Sequence, residues 1–165
     1  MESRAKVLGH GVHPILVAFP IGLLLSSIGF DLLRLITGKK IWGQIAFWNI
    51  TAGCVSGWVS MLPAAVDWWF LPWRTRAKRV ATIHAIAADT GINLFFASWL
   101  MRRRDPENPS TQALLLAMLG GAVLSLAGWL GGELVQRLGV SVAPGAHLDA
   151  PSSLSRREIA PPDAV

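Results

Sequence analysis

The sequence has little of several residue types on which soluble enzymes rely. It contains one cysteine, Cys54, no tyrosine, and only 15% charged residues. A single cysteine excludes a disulfide framework and a cysteine-based metal site. No glycine-rich phosphate loop, HExxH motif or nucleophile elbow occurs along the chain. We therefore expect neither a hydrolase nor a self-sufficient soluble enzyme.

Apolar residues take the place of the missing charges. They make up 52% of the chain, and the mean hydropathy is +0.45. Four stretches, at about residues 15–37, 41–70, 80–101 and 113–135, reach the roughly 20 helical residues needed to cross a hydrocarbon core. Because lipid offers no partner to backbone groups, these segments should be helices. The prediction is an all-α integral membrane four-helix bundle.

The connections between the four stretches are short, which predicts antiparallel neighbours in up-down-up-down order. Residues 1–140 would form this helical domain, with both termini on one side of the membrane. Lysines and arginines are almost evenly divided between the two sides, so the orientation stays open. Residues 141–165 are rich in alanine, proline and serine, and we expect them to form a flexible tail.

The net charge of +5 does not predict nucleic-acid binding, because the basic residues flank apolar segments. Most of the eight tryptophans also lie near predicted helix ends, as in proteins whose partner is the lipid bilayer. Two glycine pairs, Gly53 with Gly57 and Gly128 with Gly132, have the spacing of helix-packing motifs. They are expected to hold the four helices together, and a homo-oligomer interface is the alternative.

Five polar residues fall near helix ends that should meet at one membrane face. Ionisable groups in membrane segments are costly and usually face the bundle interior, where they mark functional sites. At the other face, we interpret Asp31 and Arg34 as a pair within one helix. The five residues of the first face are His10, His13, Asp67, His84 and Glu133.

Small and polar residues add two further expectations. A stripe on the second helix should face neighbouring helices, because its residues recur at alternating steps of four and three. Ala87, Ala88 and Gly91 follow His84 on the same face of the helix and have small side chains or none. Either another helix packs tightly there, or a flat group occupies the space. The stripe consists of Asn49, Gly53, Ser56, Ser60, Pro63 and Asp67.

The histidines allow three interpretations. Two imidazoles from different helices, His13 and His84, form the axial pair typical of a membrane b-type haem. Alternatively, a divalent metal ion is bound by nitrogen and oxygen ligands drawn from all five residues of this face. In the third interpretation the histidines only form hydrogen bonds at the interface.

The run from Gly9 to Gly22, which contains His13, Pro14, Phe19 and Pro20, resembles the opening of the bacterial membrane proteins grouped as the domain of unknown function DUF2231. The likeness covers most of the chain up to Val142. Its further matches are Asp31, Thr51-Ala52-Gly53, Asp67, His84, Gly131 to Val135 and Gly139 to Val142.

This resemblance implies a multi-pass protein of the bacterial plasma membrane, sometimes encoded with redox proteins and without an established activity. By position, it carries over His13, Pro14, Phe19, Pro20, Asp67 and His84 as motif residues. Many members have a histidine where this chain has Ala18, so a site that needs that histidine is not expected here.

The leading hypothesis is a small membrane redox subunit. Haem b, bound by His13 and His84, would pass electrons between a partner redox protein and membrane quinone. A non-catalytic anchor subunit of a larger complex is the first alternative. A metal-ion-binding or transport protein, in which the stripe and Asp89 line a polar path, is the second.

Overall fold

The computed structural model describes residues 1–155, and four helices of this part are long and apolar enough to cross a membrane. The predicted all-α membrane bundle is therefore confirmed. Each long helix packs against the next along the chain, and the last closes on the first. The elements are β1 (Lys6–Val7), β2 (His10–Gly11), α1 (Val12–Leu16), α2 (Ala18–Thr37), α3 (Ile41–Phe70), α4 (Arg76–Arg102) and α5 (Thr111–Gln136).

The helices extend beyond the apolar runs where polar residues cap them. The Thr75 side chain accepts a hydrogen bond from the Lys78 backbone, and the Ser110 side chain accepts one from Ala113. Such caps satisfy the free N–H groups of a first helical turn. As a result α4 begins four residues before the predicted Val80, and α5 begins two residues before the predicted Ala113.

The first membrane span is interrupted at Val17, between α1 and α2. Pro20 has no N–H with which to bond the carbonyl of Leu16, one turn earlier, so the helical ladder loses a hydrogen bond there. The bond from the Val17 N–H to the His13 carbonyl is kept, at 3.0 Å. The interruption leaves α1 as a separate single turn that carries His13.

The core of the bundle is formed where small residues let large ones approach. A Cβ atom on Gly53 would lie 2.6 Å from the Leu24 side chain, and one on Gly57 would lie 2.9 Å from Ile92. This glycine pair therefore packs inside the bundle, as expected. Gly128 and Gly132 have nothing within 4 Å of that position, so this pair faces outward.

The prediction that Asp31 pairs with Arg34 is wrong. Arg102, at the end of α4, donates to both carboxylate oxygens of Asp31 at 3.0 to 3.2 Å, and both side chains are buried. Arg34 instead donates to the carbonyl of Glu107 and the side chain of Asn108. The Arg102 guanidinium reaches Asp31 from α4 and donates to both carboxylate oxygens. Such paired hydrogen bonds between charged groups are stronger than a single contact, so Asp31 binds Arg102.

Part of the predicted C-terminal tail contacts the N-terminal segment. The N–H of Ser141 donates to the carbonyl of Met1 at 2.8 Å, and the Met1 ammonium donates to Gly139. Residues 142–155 contain turns without a helix or strand. The rest of the expected tail, residues 156–165, lies outside the described residues.

We predict that Arg102→Met destabilises the bundle by about 3–5 kcal/mol, because it leaves the buried Asp31 carboxylate unpaired. The double variant Asp31→Leu with Arg102→Met should lose much less than the two single variants together. Unfolding in detergent micelles measures all three. Arg76→Ala is the control, since it breaks an exposed ion pair with Glu133 that is worth about 0–1 kcal/mol. Equal losses from Arg102→Met and Arg76→Ala would contradict the prediction.

Candidate functional site at the histidine pair

Two of the predicted site residues, His13 and His84, lie side by side. His13 is carried by α1 and His84 by α4, and their ring centroids are 6.3 Å apart with the ring planes at 81°. Both residues are half-buried. The break at Val17 and the antiparallel course of the helices bring these two residues, distant in sequence, to one level of the bundle.

Each imidazole is fixed by a backbone carbonyl of a neighbouring helix. The Nδ1 atom of His13 lies 2.9 Å from the carbonyl oxygen of Ser60, and that of His84 lies 2.8 Å from the carbonyl of Ala127. A carbonyl only accepts, so Nδ1 of each ring is the donor. In the neutral rings the proton is therefore on Nδ1, and the lone pair on Nε2 is free to bind a metal or accept a proton.

The space below His84 is filled by α5. A Cβ atom on Gly131 would lie 3.3 Å from Cε1 of His84, and one on Gly120 would lie 3.1 Å from the carbonyl oxygen of Gly91. Of the two explanations for the small residues beneath His84, tight packing of another helix is the one found. Any group bound by both histidines has to approach from a side other than the α4–α5 contact.

Asp67 holds the start of the chain instead of facing the histidines. Its buried carboxylate accepts hydrogen bonds from the Ser3 hydroxyl at 2.6 Å and from the backbone N–H groups of Arg4 and Ala5 at 2.6 and 3.2 Å. These bonds fix the segment that leads through the β1–β2 hairpin into α1. The role of Asp67 is thus to position the element that carries His13.

The other two predicted ligands have partners of their own. Glu133 forms an ion pair with Arg76, with a separation of 2.5 Å, and His10 lies exposed on β2 with its Nδ1 atom 3.2 Å from the carbonyl of Leu8. Within residues 1–155, no three His, Cys, Asp or Glu side chains are grouped to hold a metal ion. The five-residue metal site is not assembled there, and only His13 and His84 come together.

The stripe on α3 faces its neighbours, as the spacing predicts. Asn49 donates to the hydroxyl of Ser26 on α2, Gly53 contacts Leu24, and the Ser60 carbonyl binds His13. These contacts hold α3 against α2 and α1.

A groove of about 570 Å³ runs along the outer surface between the first span and α3. Leu16, one turn after His13, and Val59, next to Ser60, line the end of the groove nearest the histidines. This continuity makes the groove part of the same region of the molecule. Its other lining residues are Phe19, Trp48, Thr51, Ala52, Val55 and Ser56.

The sequence did not reveal the atoms that orient the histidines. The acceptors on Ser60 and Ala127 are backbone carbonyls, which every residue has, so no residue type marks them. Ser3, which binds Asp67, also carries no motif. Only the matched depth of His13 and His84 was visible in the sequence.

Comparison with known proteins identifies one family. The model described as "Predicted membrane protein (DUF2231)" matches residues 9–144 of the chain. No curated protein and no solved structure gives a significant match. The match includes His13, Asp67 and His84, and it ends before most of the predicted tail.

We predict that Asp67→Ala frees the first residues of the chain without unfolding the bundle. Hydrogen bonds to a charged group contribute about 1.5–3 kcal/mol each, so cleavage by trypsin after Arg4 and Lys6 should accelerate at least tenfold. Mass spectrometry of the released peptides measures the rate. Glu133→Gln, on the same face, is the control and should be cleaved there at the wild-type rate. Unchanged cleavage in Asp67→Ala would rule out this positioning role.

Proposed function

The chain belongs to the DUF2231 family of membrane proteins, and from that premise we propose that it is a small redox subunit with its redox centre at His13 and His84. In this proposal the centre is a haem b, and the subunit lies in a bacterial plasma membrane. It passes electrons between a partner redox protein and membrane quinone. The observation that carries the proposal is the spacing and orientation of the two imidazoles.

The separation of the rings suits two ligands of one metal atom. Bonds from a metal to an imidazole nitrogen are about 2 Å long, so two rings that would bind one metal atom have to lie close together. The centroids of His13 and His84 are 6.3 Å apart. Both rings use Nδ1 for a carbonyl, which is the usual way in which proteins orient a ligating histidine and strengthen its free nitrogen.

The number of ligands favours haem over a bare ion. A zinc ion held by protein alone takes four ligands in a closed site or three in an open one, whereas a bis-histidine haem takes only two from the protein. Among the described residues, two imidazoles lie close together, which is the number that a haem requires from the protein. Bound haem would supply a one-electron couple. His13 and His84 would hold the haem, and the carbonyls of Ser60 and Ala127 would fix the orientation of the two rings.

The groove beside α3 supports quinone as the lipid-soluble reactant. Its volume of about 570 Å³ falls within the range of ligand sites, which is roughly 300–1,000 Å³. Its lining residues are mostly apolar and suit an isoprenoid tail. Leu16 and Val59 would place the head of such a molecule at the His13 end.

An anchoring subunit is the second candidate. The observation that favours it is the open face of α5 at Gly128 and Gly132, where a helix of a larger complex could approach closely. In that case the histidines only bind the carbonyls of Ser60 and Ala127.

We predict that the purified protein, produced with an adequate haem supply, shows a sharp reduced α band after dithionite is added. Either His13→Ala or His84→Ala should abolish the band, because each removes one of the two residues that would hold the haem. His10→Ala is the matched control and should keep it, since His10 is exposed on β2. Reduced-minus-oxidised absorption spectra give the measurement.

Metal analysis of the same sample separates the alternatives. If the protein contains a metal ion but no haem, and His13→Ala and His84→Ala lose that ion, the centre is a metal ion and not haem. If the protein contains neither haem nor metal, the redox proposal is wrong and the anchoring subunit is the remaining candidate.

We predict that Val55→Trp slows reduction of the centre by a quinol analogue about tenfold, the equivalent of ~1.4 kcal/mol of lost tail burial. Val55 lines the groove and is 56% exposed, so the indole fills the groove without disturbing the core. The α band itself should not change. Leu119→Trp, on the outer face of α5, is the control, and equal slowing in both variants would exclude the groove as the quinone site.

A further inference from the structure

Helix α4 carries two polar side chains on its outer surface at the centre of the membrane span. Asp89 is the middle residue of Arg76–Arg102, and Asn93 follows one turn later. Both side chains are exposed. At 1.5 Å per residue, Asp89 lies about 20 Å from either end of α4, so headgroups and water are out of its reach.

The described part of the chain leaves these groups incompletely satisfied. Within residues 1–155, the Asp89 carboxylate has no hydrogen bond or ion pair. The Asn93 side chain gives one amide hydrogen to the backbone carbonyl of Asp89, at 2.9 Å. Its second amide hydrogen and its oxygen remain available. An acceptor and a donor therefore stand next to each other on a surface that would otherwise meet hydrocarbon.

Such a surface is not stable against lipid. Ionisable side chains in membrane segments are rare there because hydrocarbon offers them no partner, and they face protein or a water-filled cavity instead. In the membrane, Asp89 therefore needs a partner other than lipid.

The residues around Asp89 form a seam with the spacing of a coiled coil. Positions at alternating steps of four and three lie on one side of a helix and pack against a second helix. Ile86 and Leu100, on this seam, are 62% and 42% exposed. A single asparagine in such a seam fixes the register of the two helices. The seam consists of Ile86, Asp89, Asn93 and Leu100; Thr82 and Phe96 continue the same spacing but contact Trp68 and Trp58 of α3.

We propose that a second copy of this chain covers the seam, so that the protein is a parallel dimer through α4. In a parallel dimer the Asp89 residues of the two copies lie at the same depth, at the middle of α4. A two-fold axis along the membrane normal then lets Asn93 of each copy donate to Asp89 of the other. The donor and the acceptor come from the same chain, so the surface is complementary to itself.

Cross-linking of purified protein in liposomes tests the dimer, because no other protein is present. In a Cys54→Ala background, a cysteine at Ile86 should form a disulfide-linked dimer under mild oxidation. A cysteine at Leu126 is the matched control. It is 53% exposed on α5, at a similar depth, since the neighbouring Ala127 binds His84. Equal cross-linking at both sites, or none at Ile86, overturns the proposal.

The polar contact is tested by two substitutions of Asp89. Asp89→Leu should weaken dimerisation about tenfold, as expected for the loss of two interhelical hydrogen bonds. Asp89→Asn keeps an acceptor and should retain the dimer. Because Asp89 faces outward, both variants should fold. If Asp89→Leu dimerises as well as the wild type, the contact is wrong. A native-membrane adduct at Ile86 with a different protein, without a dimer in liposomes, shows that another helix is the occupant.

Discussion

The absence of hydrogen-bond partners in hydrocarbon is the constraint on which the rest of this structure depends. Every polar group placed within the bundle must find its partner inside the protein. Asp31 is bound by Arg102, Asp67 by the first residues of the chain, and His13 by the carbonyl of Ser60. These contacts link helices that are apart in sequence. The same requirement that makes polar residues costly in a membrane therefore specifies how the four helices pair.

Much of the fold could be predicted because length and hydropathy are local properties. The helix α3 begins and ends at the predicted Ile41 and Phe70, since its apolar run has clear limits. The helices α4 and α5 were predicted too short because their first turns are polar and depend on the caps Thr75 and Ser110. Hydropathy carries no information about capping residues, so it does not predict these additional turns.

The candidate site could be predicted only in part. Matched depth brought His13 and His84 to one level, and the structure places their rings 6.3 Å apart. Depth does not fix rotation about a helix axis, however, and rotation decides which neighbour a side chain meets. For that reason depth alone groups Asp67 with the histidines, although its carboxylate binds Ser3. Sequence spacing alone pairs Asp31 with Arg34, although Arg102 binds it.

The contacts of the N-terminal segment also set an order for assembly. Residues 3–5 bind Asp67 at the end of α3, His13 meets His84 on α4, and Met1 is hydrogen-bonded to Ser141, beyond α5. A chain is synthesised from its N-terminus, and contacts with later residues cannot form until those residues have emerged. Residues 3–5 are therefore synthesised before the helix that fixes them, and the histidine pair is completed only after α4 has entered the bilayer.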